Sequence, residues 1–319
     1  MTAQLRRGCC FCGGGPLSGE HLWPAWAGPI LPRSAGRDYI ALKRVWGDAP
    51  IVESVRRKQG ALVEDRARVV CTACNNGWMN RIEQAARPSV ERMILGRETS
   101  LAQPEASRLT RWVTLKAMII DRHRSREHVF TEDELKRFHD VHKSIRTFDG
   151  ALEGIPQRLE IALFRCGEGR WTNALGVDRV TMSNVDGVKP SRVNVGLFVW
   201  GLGQLLISMI YRDGVRFPLP VTQDSEIELW PLVTAATWPR ERRLTEPEAT
   251  KLEAALSHMT KWPGAQNRSG SQTDYGDMNG PAQWLRPGRF DGHFGVSTPA
   301  LLPPVPVLAY SHQLDVDCQ

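Results

Sequence analysis

The spacing of apolar residues along the chain predicts helices in its first and middle thirds. After Cys74 apolar residues recur at helical intervals, and Pro88 is expected to break or kink that helix before a second one ends at Gly96. The segment SRLTRWVTLKAMIIDRH, residues 107–123, carries one apolar stripe, which predicts a buried helix. In contrast, RARVV at residues 66–70 is typical of a short strand that runs into the cysteines behind it.

The second half of the chain changes to strand character. Residues 157–212 contain alternating apolar positions, and two apolar runs around Gly201 and Gly203 predict a β-hairpin. Thr131 and Thr245 each stand three residues before a glutamate, so each is expected to open a helix with a capping box. Beyond about residue 263 the chain is rich in Gly, Pro, Ser, Asn and Gln, which predicts a mostly disordered tail.

These patterns together predict an α+β protein with two units and a tail. Residues 1–100 would form a small N-terminal unit. Residues 105–262 would form a larger unit of helices and antiparallel sheet, and residues 263–319 the tail.

The composition is that of a globular protein made in a reducing compartment. Of its 319 residues 41% are hydrophobic and 24% charged, and no apolar run is long enough to cross a membrane. The N-terminal segment has no apolar core typical of a signal peptide, so we expect a cytoplasmic protein. In the cytoplasm, paired cysteines indicate metal ligands rather than disulfides.

Four of the seven cysteines form two pairs with the spacing of a structural zinc site. Cys9 and Cys12 make the first Cys-x-x-Cys pair, and Cys71 and Cys74 make the second. Gly13 would supply the tight turn of the first pair, while Cys10 would point away from the metal. We therefore expect one structural Zn²⁺ that closes a long loop, which by itself implies no catalysis.

Three polar residues near this zinc site have the chemistry to hold a cation and activate a water. Glu20 offers a carboxylate, and His21 beside it would face the opposite side of an extended strand as a general base. Asn75 follows a zinc ligand directly, and its carbonyl oxygen can bind Mg²⁺. Each has a simpler alternative: a surface Glu–His pair, and a helix-capping asparagine, a role that Asn76 could also fill.

Net charge favours a phosphate-bearing partner without identifying one. Residues 1–100 hold 15 lysine and arginine residues against 9 acidic residues, whereas the remainder is neutral, with 26 of each. Arg56, Arg57 and Lys58 form a basic cluster that could contact nucleic acid, although a solvated loop is an equally good interpretation.

Other aromatic and histidine residues are interpreted as structural. Trp23, Trp26 and Trp78 surround the motif and could stack on bases, but the core of a small metal module is the favoured role. His139 and His142 lie one helical turn apart without an obvious third ligand, so we expect them to be surface or core residues.

The combination of motifs resembles the zinc-clipped branch of the HNH (His-Me finger, ββα-metal) endonucleases, in particular the recombination endonuclease VII type. The resemblance rests on Cys-x-x-Cys, an acid–histidine pair, and Cys-x-x-Cys-Asn opening a helix. The phrases EHLWPAW and CNNGWMNRIE are similar to a group of uncharacterised bacterial HNH proteins. The resemblance covers about residues 8–95 of the chain.

The resemblance implies a set of roles for the candidate residues. His21 would activate the attacking water, and Glu20 and Asn75 would hold one Mg²⁺ or Mn²⁺. The four cysteines would hold Zn²⁺, and the helix after Cys74 would complete a ββα unit. The expected function is then metal-dependent hydrolysis of phosphodiester bonds in nucleic acid, most simply DNA, with a homodimer suited to double-strand cutting.

Two departures from the family pattern leave an alternative open. No asparagine lies between His21 and Asn75, where the family often has one, and the metal carboxylate is Glu20 rather than an aspartate. The long stretch 22–70 indicates an insertion. The alternative is a non-catalytic zinc-stabilised module that binds nucleic acid or protein.

Overall fold

The computed structural model is an α+β structure of helices and mainly antiparallel sheets. It describes residues 8–31, 38–45, 52–59, 64–124, 127–166, 174–182, 190–215, 226–231, 235–253 and 308–313. The strands are β1 Leu17–His21, β2 Asp38–Val45, β3 Val52–Gln59, β4 Arg66–Cys71, β5 Thr99–Leu101, β6 Leu159–Arg165, β7 Ala174–Val180, β8 Val195–Leu202, β9 Leu205–Arg212, β10 Glu226–Trp230, β11 Ala236–Trp238 and β12 Leu308–Gln313. The helices are α1 Thr72–Cys74, a π-helical turn Asn75–Met79, α2 Asn80–Ile94, α3 Gln103–Arg124, α4 Glu132–His142 and α5 Glu246–Glu253, with a 3-10 turn at Ala25–Ala27.

A two-stranded antiparallel sheet followed by a helix occupies the N-terminal part. Strand β1 pairs with β4, with Leu17 opposite Cys71 and His21 opposite Arg66. The register shifts between Ser18 and Glu20, which makes the strand irregular immediately before the acid–histidine pair. The predicted strand at residues 66–70 is therefore confirmed, and it leads directly into α1.

The described residues also include an eight-stranded sheet, in the order β10-β6-β9-β8-β7-β12-β2-β3. Its neighbours are antiparallel except that β12 runs parallel to both β7 and β2. The predicted hairpin is present as β8 and β9, joined by a two-residue turn with Gly203 at φ +58°. The insertion indicated by the sequence contains β2 and β3, which leave the β1–β4 pair and join the edge of this sheet.

Six residues of the segment predicted to be a disordered tail form β12. Leu308–Gln313 pairs with β2 on one side and β7 on the other, so the backbone of this segment is hydrogen-bonded along both edges. The predicted tail, expected to be mostly disordered, therefore contains one strand. The rest of 263–319 lies outside the described residues.

The strand pair β8–β9 is buried on both faces. Along β8, Phe198 and Trp200 belong to the main core under the helices, whereas Val195, Leu197 and Val199 belong to a smaller core that also contains residues of α5. This alternation follows from the two-residue period of a strand. The centre of the sheet is consequently a layer between two apolar clusters.

Helix ends mostly follow the sequence, with one exception. Helix α2 is followed by Gly96 at φ +72°, where the Gly96 and Arg97 amides donate to the carbonyls of Met93 and Arg92, as in a Schellman motif. Of the predicted break or kink at Pro88, the break is wrong, because Pro88 lies inside α2, which continues to Ile94. The irregularity lies earlier, at Gly77, whose φ −95° and ψ −111° are not helical.

The capping boxes predicted at Thr131 and Thr245 are both confirmed. The Thr131 hydroxyl accepts from the Glu134 amide at 3.1 Å, and the Glu134 carboxylate accepts from the Thr131 amide at 2.8 Å. The Thr245 amide donates to the Glu248 carboxylate at 2.9 Å in the same way. Both helices therefore begin at the positions that the sequence indicates.

One apolar core contains residues of both predicted units. It runs from Cys9 through the helices to Trp238. Trp23 packs edge-on against Trp200 with ring centroids 6.3 Å apart, and its indole N–H donates to the Gly201 carbonyl at 3.4 Å. Trp112 of α3 packs on the same Trp200 ring at 5.1 Å. The segment behind His21 is thus anchored on the large sheet through tryptophans.

Among the helices of the described residues, none combines the length and apolar character that a membrane span requires.

Candidate metal centre and neighbouring polar site

The four paired cysteines lie together, as their spacing predicts. The Sγ atoms of Cys9, Cys12, Cys71 and Cys74 all fall within 4.8 Å of one another. The Cys12 Sγ is 3.6 Å from both the Cys71 and the Cys74 Sγ. In a tetrahedral site with zinc–sulfur bonds of about 2.3 Å, neighbouring sulfurs lie about 3.8 Å apart. The cluster could therefore hold a metal such as zinc.

Backbone geometry orients the first cysteine pair. Gly13 adopts φ +73°, and its amide donates to the Cys9 carbonyl at 2.8 Å, which closes the tight turn. The Gly14 amide points at the Cys12 sulfur at 3.4 Å. Cys10 lies outside the cluster, and burial raises the pKa of its thiol, so it stays protonated. Both expectations for this turn, the glycine and the excluded cysteine, are confirmed.

The second pair opens the helix that carries Asn75. Cys71 is the N-cap of α1, and its sulfur accepts from the Cys74 amide at 3.4 Å. Neither Asn75 nor Asn76 is the N-cap of α1, so the N-cap alternative for these asparagines is wrong, although Asn75 stands at the C-terminal end of that short helix. The reason is that the sulfur of Cys71 already accepts from the Cys74 amide in the first turn.

The thiols of this cluster are electrostatically linked to one another. A hydrogen bond from the Cys74 thiol lowers the pKa of Cys9 to about 4, and the same contact raises the pKa of Cys74. Closely spaced thiols of this kind suit a ligand set that must become thiolate to hold a metal.

His21 stands at the end of β1, half-buried, while Glu20 is turned inward. Glu20 is 8% exposed, and the two side chains alternate across the strand as predicted. Burial lowers the pKa of His21, and the positive charge of Arg66 on the paired strand lowers it further. The imidazole is therefore neutral near pH 7, which is the form that accepts a proton.

A buried lysine forms an ion pair with Glu20, a contact that the sequence analysis did not predict. Lys116 of α3 has a fully buried side chain whose Nζ forms an ion pair with Glu20 Oε1 and another with Glu83 Oε2 at 3.0 Å. It also donates to the His21 carbonyl at 2.9 Å. The two carboxylates raise the pKa of Lys116 against the opposing effect of its burial, so the residue is charged. Within the described residues, no hydrogen bond or ion pair involves Glu20 Oε2.

Asn75 lies on the same side of the cysteine cluster as β1. Its amide Nδ2 donates to the Ser18 hydroxyl at 3.1 Å, and Ser18 in turn lies 3.5 Å from the Val70 carbonyl. With the amide nitrogen used in this way, the Asn75 carbonyl oxygen is directed elsewhere. One carboxylate oxygen and one amide oxygen therefore remain as candidate ligands for a hard cation, a donor set that suits Mg²⁺ or Mn²⁺.

The exposed face of β4 beside His21 is basic. Arg66 and Arg68 are both exposed and stand two residues apart, so they share one face of the strand. The basic cluster is part of edge strand β3, which contains Arg56, Arg57 and Lys58, and the positions of their side chains are not among the described features. Arg66 and Arg68 were missed from the sequence, although alternation in RARVV could have marked them.

The remaining candidates are mainly core residues. Trp23 and Trp78 are buried, and Trp26 is half-buried with the Arg87 guanidinium 5.3 Å from its ring. His142 is fully buried, its Nδ1 2.7 Å from the Phe138 carbonyl. The structural interpretation of these residues is therefore confirmed.

Comparison of the chain with protein-family models, with curated proteins and with solved structures finds no match in any of the three.

Proposed function

We propose that the protein is a metal-dependent endonuclease of the HNH type that hydrolyses phosphodiester bonds of nucleic acid, most simply DNA. One observation carries the proposal. An antiparallel strand pair and the helix that follows it place His21 at a strand end and Asn75 in the first helical turn, beside a four-cysteine cluster. It supports the proposal because the sequence resemblance implies a ββα unit, in which two antiparallel strands precede a helix.

In the proposed reaction the imidazole of His21 takes a proton from the attacking water. Its lowered pKa supports this role, because the base must be unprotonated at the start of the reaction. Glu20 Oε2 and the Asn75 amide oxygen would hold one Mg²⁺ or Mn²⁺, which would offset negative charge on the phosphate and the leaving oxygen. Arg66 and Arg68 offer positive charge on the face where a phosphate backbone would approach.

The four-cysteine cluster would act as a structural zinc site. It joins the turn before β1 to the start of α1, so it fixes the distance between the strand that carries His21 and the helix that carries Asn75. Zinc would therefore position the catalytic groups without touching the substrate.

The test is plasmid nicking by the zinc-loaded protein with Mg²⁺ or Mn²⁺, compared with EDTA. Removal of a general base is expected to lower the rate about 10²–10⁴-fold in His21→Ala. The matched control is His128→Ala, another half-buried histidine whose pKa is lowered by burial, placed after α3. Cutting that survives His21→Ala unchanged would refute the proposed base.

One observation favours a second candidate, a non-catalytic zinc module that binds nucleic acid or protein. Glu20 is already neutralised by the buried ammonium of Lys116. If that pairing excludes a divalent cation, DNA binding would be indifferent to Mg²⁺ and to His21→Ala. A filter-binding titration with and without Mg²⁺ on both proteins, beside the nicking assay, distinguishes the two candidates.

A further inference from the structure

Lys116 connects a helix outside the strand–helix unit to two residues of the proposed active site. It lies on α3, whereas Glu20 and His21 end β1 and Glu83 lies on α2. An ammonium group has three N–H donors. Here three acceptors surround it: Glu20 Oε1, Glu83 Oε2 and the His21 carbonyl oxygen. The donors of this buried lysine are therefore fully used.

These three contacts restrain the site at adjacent positions. The contact with Oε1 restrains the carboxylate of Glu20, and so limits the positions that Oε2 can take. The bond to the His21 carbonyl fixes the peptide from which the imidazole projects. Burial of the lysine side chain, at 0% exposure, removes competition from water for all three contacts.

We propose that Lys116 is a positioning residue of the nuclease site, which aims Glu20 Oε2 at the cation and holds the His21 backbone. The inference rests on the proposed function, because it assigns Lys116 a role in that same site. It adds that the site is incomplete without α3, a helix that lies outside the segment resembling HNH nucleases.

The charges of the cluster suggest a variant that separates positioning from charge balance. Glu20, Lys116 and Glu83 together carry one net negative charge. Lys116→Met alone would leave two carboxylates without their cation, which endangers folding. Lys116→Met combined with Glu83→Gln restores one net negative charge, located on Glu20, yet removes the bonds that orient it.

The matched control is a second buried ion pair on the same helix. Arg179 Nε lies 2.9 Å from Oδ1 of Asp121 on α3, and both side chains are at most 2% exposed. The variant Asp121→Asn with Arg179→Met removes a similar pair that contacts none of the candidate site residues. It reports what loss of a buried ion pair does to the fold alone.

The experiment measures Mn²⁺ binding to the zinc-loaded full-length proteins by EPR, and the Mg²⁺ dependence of nicking. Glu20→Gln identifies the part of the Mn²⁺ signal that belongs to the site. We expect Lys116→Met/Glu83→Gln to bind Mn²⁺ at least 10-fold more weakly and to nick more slowly even at saturating Mg²⁺. The Asp121→Asn/Arg179→Met variant should bind Mn²⁺ with the same dissociation constant as the wild-type protein.

The inference is overturned if the folded Lys116/Glu83 variant has the wild-type dissociation constant for Mn²⁺ and the wild-type nicking rate. If that variant does not purify with its zinc, Lys116→Met with Glu83→Leu replaces the pair by apolar volume and is judged by the same criterion. If the wild-type protein binds Mn²⁺ more tightly than the Lys116/Glu83 variant but does not nick DNA, the positioning role is supported and the nuclease is refuted. Nicking at the same rate in the wild-type protein and in the Lys116/Glu83 variant supports the nuclease and overturns the positioning role.

Discussion

Removal of the metal from the four-cysteine cluster should destabilise the whole N-terminal part of the fold. The cluster joins Cys12 to Cys71, which are 59 residues apart in the chain. A cross-link that closes a loop of this length lowers the entropy of the unfolded chain by an amount worth about 4 kcal/mol at 25 °C. Domains are typically stable by about 5–15 kcal/mol, so the loss is a large part of the total.

The assay is urea unfolding followed by tryptophan fluorescence. The emission averages over the eleven tryptophans of the chain. Among them Trp78 lies close to the cluster, one helical turn after Cys74, and is buried against Phe11 with ring centroids 5.1 Å apart. With a denaturant slope of about 2–3 kcal/mol per molar urea, loss of the metal should lower the midpoint by about 1–2 M. Metal is removed with a strong chelator, or by Cys12→Ser, and its content is checked by mass spectrometry.

Cys10→Ser supplies the matched control, because Cys10 lies within the same turn and outside the cluster. It should retain one zinc per chain, whereas Cys12→Ser should lose it. An unchanged urea midpoint after complete metal removal, with all cluster thiols reactive, would show that the cross-link does not contribute to stability and refute this reasoning.

Three further predictions concern the rest of the fold. Burial lowers the pKa of His142 from an ordinary 6.5 to about 4, so the unfolded state binds more protons than the folded state in this range. The free energy of unfolding should therefore fall by about 3 kcal/mol as the pH drops from 6.5 to 4. His142→Leu should abolish this pH dependence, as measured by urea unfolding at the two pH values. Thr131→Ala removes a capping box and should lower the free energy of unfolding by about 1 kcal/mol, as measured by thermal denaturation. Gly203→Ala should destabilise more than Gly214→Ala, because both have positive φ but only the Cβ at 203 would meet the Ile94 carbonyl oxygen, at 2.6 Å; equal losses in calorimetry would contradict the predicted clash.

Local signals in the sequence identified what depends on nearby residues. The Cys-x-x-Cys spacing, Gly13 and the Thr131 capping box each specify a geometry within a few residues, and each is found in the structure. The α+β class follows in the same way, from periods of 3.6 and 2 along the chain. Alternation likewise predicted that Glu20 and His21 would face opposite sides of a strand.

Features that depend on distant parts of the chain could not be found in this way. Lys116 is one of several polar residues of α3, and its partner Glu20 lies 96 residues earlier in the chain, so no local pattern indicates the pair. Pro88 lacks an amide proton but fits within α2, because the packing of the surrounding helix outweighs its intrinsic preference. Strand β12 depends on two neighbours from distant segments for its hydrogen bonds.

The helix that carries the second half of the candidate site is fastened at both ends. At its start, the sulfur of Cys71 caps the first turn within the cysteine cluster. At its other end, the carbonyl of Ile94, the last residue of α2, accepts from the amide of Gln204 in the β8–β9 turn at 3.0 Å. Such a helix behaves mechanically as a strut between the cluster and the large sheet. The segment from α1 through α2 is therefore held at the cluster by one end and at the β8–β9 turn by the other, with the non-helical Gly77 between them.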